Sequence, residues 1–204
     1  MPDTAWFAVP IEPFATLAAE PLILIVLAAW GVGEALVLPV VPDVLLGLLV
    51  LAAPWQVGPL LAAAIVGGVA GAVPGWWLLR HRRSLAERVL ALQPGLGQRG
   101  LDQAEDRIRR RGPLLAFAQV GPGLPLKAYV HAIDVVAPAT TPATVAGLAL
   151  VNRLARLGPV ALVFAALHPF AVGWPPAVLA VTWIGGWTAF YVAYWVARDP
   201  RRRG

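Results

Sequence analysis

From Pro21 to Pro54 the chain is almost continuously apolar, for longer than one membrane crossing of about 20 residues requires. The same stretch is cut by Gly31, Gly33, Glu34, Pro39, Pro42 and Asp43. A single straight helix cannot carry that many breakers together with two carboxylates. Two half-helices joined by a broken turn can. Non-helical backbone at membrane depth persists only where it is buried in protein or lines a wet cavity.

The rest of the chain fits this constraint. Mean hydropathy is +0.71, and 59% of residues are hydrophobic against 13% charged. A soluble domain carries about 25% charged residues, so most of this surface does not face water. The expected fold class is an all-α membrane protein: transmembrane helices plus two re-entrant broken-helix hairpins in an inverted repeat. Residues 1–20 read as a Pro-rich, acidic interfacial segment and 21–54 as the first hairpin. Residues 57–79 are a clean span with Gly67, Gly71 and Gly75 at four-residue spacing, a packing face for another helix. Pro74 should kink that span near its end. Residues 80–112 form a basic connector with amphipathic helices over Ser84–Leu92 and Leu101–Arg111. The second hairpin covers 113–138, broken at Gly121-Pro122-Gly123-Leu124-Pro125, and further spans cover 144–167 and 176–197.

Nine of the 16 basic residues lie between Arg80 and Arg111, and four more are Arg198, Arg201, Arg202 and Arg203. Both clusters flank apolar segments. That is the positive-inside pattern rather than a nucleic-acid footprint, and it places the connector and the C-terminus in the cytoplasm. The clusters could also hold anionic headgroups. The first 20 residues hold no Lys or Arg, so they do not read as a cleavable signal peptide. The expected location is the bacterial inner membrane, as a multi-pass protein. Cysteine is absent and the three histidines, His81, His131 and His168, are scattered, so no metal site and no cofactor are expected.

Ionisable groups inside apolar segments are costly, about 2.5–3.5 kcal/mol each at the bilayer centre on the mildest scale, and each is therefore a functional candidate. The set is Glu34, Asp43, Lys127, Arg153 and Arg156, with acids on the first hairpin and bases on the second hairpin and the following span. These five are the expected substrate or proton pathway, with Pro39, Pro42, Pro122 and Pro125 as hairpin breakers. Gln119, Tyr129, His131, Asp134 and Asn152 are secondary candidates. Bland readings stand beside the functional ones. Glu34 is either a proton carrier or a permanent ion-pair partner. Asp43 is equally an N-cap for the half-helix Val44–Leu51. Arg153 and Arg156, three apart and so on one helix face, either point inward or snorkel to the helix end. Lys127, His131 and Asp134 could line one face of a helix.

In these residues the chain resembles the DedA family, also called VTT-domain or SNARE-associated membrane proteins. Glu34, Pro39, Pro42 and Asp43 followed by Leu45-Leu46 match its Glu-x-x-x-x-Pro-x-x-Pro-acid pattern. Pro122, Pro125, Lys127 and Tyr129 resemble its second Pro-rich element, and Asn152, Arg153 and Arg156 its Gly-Arg-x-x-Arg element. The resemblance covers about residues 20–168. Many members carry Arg at the place of Gln119 and another near Pro125, whereas here Lys127 is the base of that hairpin. The resemblance implies a membrane transporter, not an enzyme. It would translocate or scramble an anionic lipid, a phospholipid or polyprenyl phosphate, with proton coupling. Its partners would be membrane lipids and protons, with no nucleic acid. Two alternatives stay open: a membrane structural or assembly factor, and a membrane lipid phosphatase. The phosphatase is the weaker because Leu38-Pro39-Val40-Val41-Pro42 offers no Ser, Thr or His as nucleophile or acid–base group.

Overall fold

The structure is a computed structural model that describes residues 12–91, 98–118 and 124–198. Those residues form helices and no strands. In chain order the helices are α1 (Glu12–Ala19), α2 (Pro21–Leu36), α3 (Asp43–Ala52), α4 (Val57–His81), α5 (Arg83–Ala91), α6 (Gln98–Phe117), α7 (Leu126–Val136), α8 (Pro142–Ala171) and α9 (Pro176–Arg198).

Among the described residues, three helices are long and apolar enough to cross a membrane: Pro54–His81, Pro142–Ala171 and Pro176–Tyr194. A fourth crossing is possible by length if α1 and α2 count as one span, but they are bent by 79° at Glu20. Several apolar helices of this kind are compatible with a multi-pass membrane protein. Their outward faces carry large apolar side chains such as Ile25, Val66, Leu162, Val163, Phe170 and Val181. Water would penalise such a surface and hydrocarbon would not.

The expected break in the first long apolar run is present. α2 ends at Leu36, residues 37–42 are non-helical, and α3 starts at Asp43. The second run also changes course. α6 breaks at Gly112, whose φ of 76° lies in the left-handed region that glycine adopts without a Cβ penalty. It continues through Pro113–Phe117, and α7 begins after a non-helical Leu124 and Pro125. The remainder of that expected break, with Gln119 and Pro122, lies outside the described residues. α4 runs through Pro74 as one helix.

The glycine stripe of α4 packs against α2. A Cβ on Gly67 would lie 2.0 Å from the Ala28 carbonyl oxygen, and one on Gly71 2.7 Å from that of Val32. Gly31 of α2 answers them, since its Cβ would lie 2.8 Å from the Ala64 carbonyl oxygen. Only bare backbones fit at these distances. Gly75 belongs to the stripe by spacing alone, because its Cβ would make an ordinary 3.4 Å contact with Leu36.

The apolar core is split. One cluster includes Ala72, Trp76, Ile108, Phe117, Tyr129, Leu148 and Ala149. Another includes Ile23, Leu27, Leu46, Leu60, Ala64, Leu157 and Ala161. On α4 the two are separated at Gly68, on α2 at Gly31–Glu34, and on α8 at Asn152–Arg153. The gap is a polar layer.

Candidate functional site

The charged groups of the layer come from α2, α3, α7 and α8. Glu34 sits in the last turn of α2 and is 1% exposed; Arg153 sits near the middle of α8 and is 0% exposed. The Arg153 Nη2 donates to Glu34 Oε2. Arg153 lies about 16 Å from the start of α8 at 1.5 Å per residue. Its guanidinium turns inward rather than snorkelling to the helix end.

One turn along the same face, Arg156 reaches the other acid. Its Nε and Nη2 donate to Asp43 Oδ2 at 3.3 and 3.2 Å. Pro42 holds the N-cap position of α3 and Asp43 is its first residue; Asp43 Oδ1 has no hydrogen-bond partner among the described residues. The capping reading of Asp43 is therefore not realised: the carboxylate is engaged by Arg156. The two pairs differ in access. The Glu34–Arg153 side chains are 2% and 0% exposed, whereas those of Asp43 and Arg156 are 8% and 22% exposed.

Lys127, at the start of α7, completes the set. Its Nζ donates to the backbone carbonyl of Glu34 at 3.0 Å and to that of Leu38 at 2.9 Å. The ammonium thus satisfies carbonyls freed at the C-terminal end of α2, where a helix dipole favours a cation. Other side chains hold the rest of the break. Trp30 Nε1 donates to the Val40 carbonyl at 2.9 Å. The Val41 N–H donates to the Tyr191 hydroxyl at 2.9 Å. Trp183 Nε1 donates to the Val44 carbonyl at 3.0 Å. An unwound segment among apolar helices keeps its shape only if its polar backbone groups are paired. Here the partners come from α2, α7 and α9.

The secondary candidates divide. Asn152 is buried and donates to the Phe117 carbonyl at 2.8 Å, tying α8 to the end of α6. Tyr129 is fully buried, and its hydroxyl accepts from Arg107 at 2.9 Å, anchoring the basic connector. Asp134 pairs with Arg80 at 3.7 Å, and Arg80 also donates to the Thr140 and Pro138 carbonyls. His131 is buried in α7. Lys127, His131 and Asp134 lie on one side of α7 by their spacing, but Lys127 is bonded to the α2 break while Asp134 pairs with Arg80 of α4. Pro39 and Pro42 lie in the break, with Pro42 directly before α3, and Pro125 directly precedes α7.

Three groups in the layer have no hydrogen-bond partner among the described residues: Arg153 Nε, Arg153 Nη1 and Asp43 Oδ1. Buried polar atoms are costly unless paired, so the layer retains hydrogen-bonding capacity of both signs. Gly68 is part of it too. A Cβ there would lie 2.3 Å from Arg153 Nε. Its neighbour Gly67 carries the visible four-residue stripe, and nothing in the sequence separates a glycine that admits a helix from one that admits a guanidinium. Trp30, Trp183 and Tyr191 were also not singled out, because aromatic residues in apolar helices ordinarily mark packing or interfaces.

Fold and site together define an all-α protein with three helices able to cross a membrane and a paired, buried charge layer between two apolar cores. No family model, no curated protein and no solved structure matches the chain.

Proposed function

We propose that this protein is a multi-pass transporter of the bacterial inner membrane, DedA-like, that moves or scrambles an anionic lipid, a phospholipid or polyprenyl phosphate, with proton coupling. The observation that carries the reading is the charge layer: Glu34 with Arg153 and Asp43 with Arg156, at a helix break, among helices of membrane-spanning character. Charged groups at that depth are rare and mark substrate or proton paths. The partly exposed guanidinium of Arg156 suits a phosphate, which accepts several charge-assisted bonds. Glu34 and Asp43 are the groups that can exchange a proton when an arginine changes partner.

In this reading 21–54 and 113–138 are re-entrant hairpins that enter from opposite faces. Support comes from the break at residues 37–42, the change of course after Gly112, and the Lys127 contact that joins the two segments. Such opposed pairs build binding sites near the midplane of inverted-repeat transporters. The basic connector 80–112 and the C-terminus face the cytoplasm by the charge bias. The chain acts as a carrier and not as an enzyme.

The test is reconstitution into liposomes, scoring labelled phospholipids and polyprenyl phosphate with and without a pH gradient. Movement of at least one anionic lipid is expected, lost in Glu34→Ala with the protein still inserted. If no labelled lipid moves while a known scramblase does so in parallel, the reading is wrong.

A further inference from the structure

Outside the charge layer, a cleft of about 490 Å³ opens between α8, α9 and the end of α3. Its size falls within the range of about 300–1,000 Å³ of small-molecule sites. Phe164, Leu167 and Phe170 line it from α8, and Leu179, Trp183 and Phe190 from α9; polar side-chain groups in the lining are the Thr182 hydroxyl and the indole N–H groups of its tryptophans. Both long helices belong to the set able to cross a membrane, so hydrocarbon is what surrounds the cleft in a bilayer.

The cleft leads to the more accessible ion pair. On α9 it extends from Leu179 to Phe190, about 16 Å of helix. Phe190 and Trp187 both pack on the Tyr191 ring, at centroid distances of 5.5 and 6.0 Å. Tyr191 holds the Val41 N–H, two residues from Asp43. Trp183 and Phe164 meet edge to face, centroids 4.9 Å apart, over Gly47, one turn from Asp43 on α3. Leu167 follows Arg156 by three helical turns on the same face of α8. Through Tyr191 and Gly47 the apolar slot thus approaches the start of α3, where Asp43 meets Arg156, and a tail slot followed by a cation is the order of a lipid's own tail and phosphate.

We propose that this cleft holds one acyl or prenyl chain of an anionic lipid whose phosphate takes the place of Asp43 on Arg156. The proposal deepens the transporter reading and rests on it for the class of lipid. Arg156 suits the exchange: it is 22% exposed and bonded to a single oxygen of Asp43. Arg153 is sealed on Glu34 and does not. The tail supplies apolar contact and the phosphate supplies the choice of headgroup.

The full-length protein in phosphatidylcholine nanodiscs is photolabelled with phosphatidic acid carrying a diazirine at one chain end. A diacylglycerol with the same chains serves as the neutral comparison, and labelled peptides are mapped by mass spectrometry. Labelling is expected on α8 from Phe164 and on α9 between Leu179 and Phe190. Gly186 lines the cleft, and a Cβ there meets nothing within 4 Å, so Gly186→Trp fills the slot without a backbone clash. That variant should lose labelling by both probes, whereas Val181→Trp, on the exposed side of α9, should keep it. Arg156→Gln should lower labelling by phosphatidic acid about tenfold, the scale of one charge-assisted hydrogen bond, and leave diacylglycerol labelling unchanged. Labelling outside the cleft, or cleft labelling that survives Gly186→Trp, overturns the tail site. Equal labelling by the two probes overturns the role of Arg156. Either result is independent of the liposome assay, so a failed tail site and a failed transporter reading are told apart.

Discussion

Gly68 of α4 lies directly against the guanidinium of Arg153: a methyl group on Gly68 would approach Arg153 Nε to 2.3 Å. A fully buried charge therefore depends on a missing side chain on the neighbouring helix. Gly68→Ala must push the guanidinium off Glu34 or part α4 from α8. Overpacking of a tight interior costs about 1–3 kcal/mol, and rupture of a buried pair about 3–5 kcal/mol. The variant should unfold at lower temperature in detergent, while Gly147→Ala on α8, where a Cβ meets nothing within 4 Å, should not. Equal melting of the two variants would refute the contact.

The two ion pairs should be unequal. Removing Arg153 leaves Glu34 buried and uncompensated, and Arg153→Met should destabilise by about 3–5 kcal/mol. Arg156→Met should cost about 1.5–3 kcal/mol, the range of a hydrogen bond to a charged group, because that pair is partly exposed and its bonds are longer. Adding Glu34→Gln to Arg153→Met should recover part of the loss, and the coupling energy from the double-mutant cycle should exceed that for Asp43 and Arg156. Additive effects at Glu34 and Arg153 would contradict the pairing.

How much of this was legible in sequence depends on what kind of signal each part leaves. The helical class and the break after Glu34 were legible, because a long apolar run interrupted by Pro39, Pro42 and Asp43 has few physical solutions. The five charged residues were legible through their cost in apolar surroundings, and the structure brings all five to one layer. Which acid meets which base was not legible, since Arg153 and Arg156 lie one turn apart on the same face of α8. Lys127 was expected among the pathway groups, but its ammonium is bound to two backbone carbonyls, partners that carry no side-chain signature. Tyr129 and Asn152 enter through the family resemblance, and Asp134 as an ionisable group in an apolar segment. Folding instead commits them to Arg80, Arg107 and Phe117.

The contact between α2 and α4 yields a third expectation. Gly67 faces the Ala28 carbonyl oxygen with room for hydrogen alone, and Gly31 faces Ala64 in the same way. Gly67→Ala should separate the two helices and cost about 1–3 kcal/mol, carrying Glu34 away from Arg153 as α2 shifts. Gly58→Ala at the start of α4, where the space is open, gives the reference. Thermal unfolding of both variants checks this, and a Gly67 variant as stable as the Gly58 variant would mean the helices do not pack backbone to backbone.

Lys127 makes the last expectation the most specific. Its ammonium spans the Glu34 and Leu38 carbonyls, so one side chain from α7 fixes the end of α2 and the start of the break together. Lys127→Met keeps the apolar stem and removes the donors, leaving the buried Glu34 carbonyl unpaired at a cost of about 1–3 kcal/mol and freeing the part-buried Leu38 carbonyl. The break should then open locally before the helices unfold. Hydrogen exchange of residues 37–42 should accelerate in Lys127→Met, with α4 and α8 protected as in the parent protein. If Lys127 served only to attract an anion, its removal would leave exchange in the break unchanged and alter ligand binding alone. The exchange pattern therefore separates a lysine that holds the backbone from one that waits for a substrate.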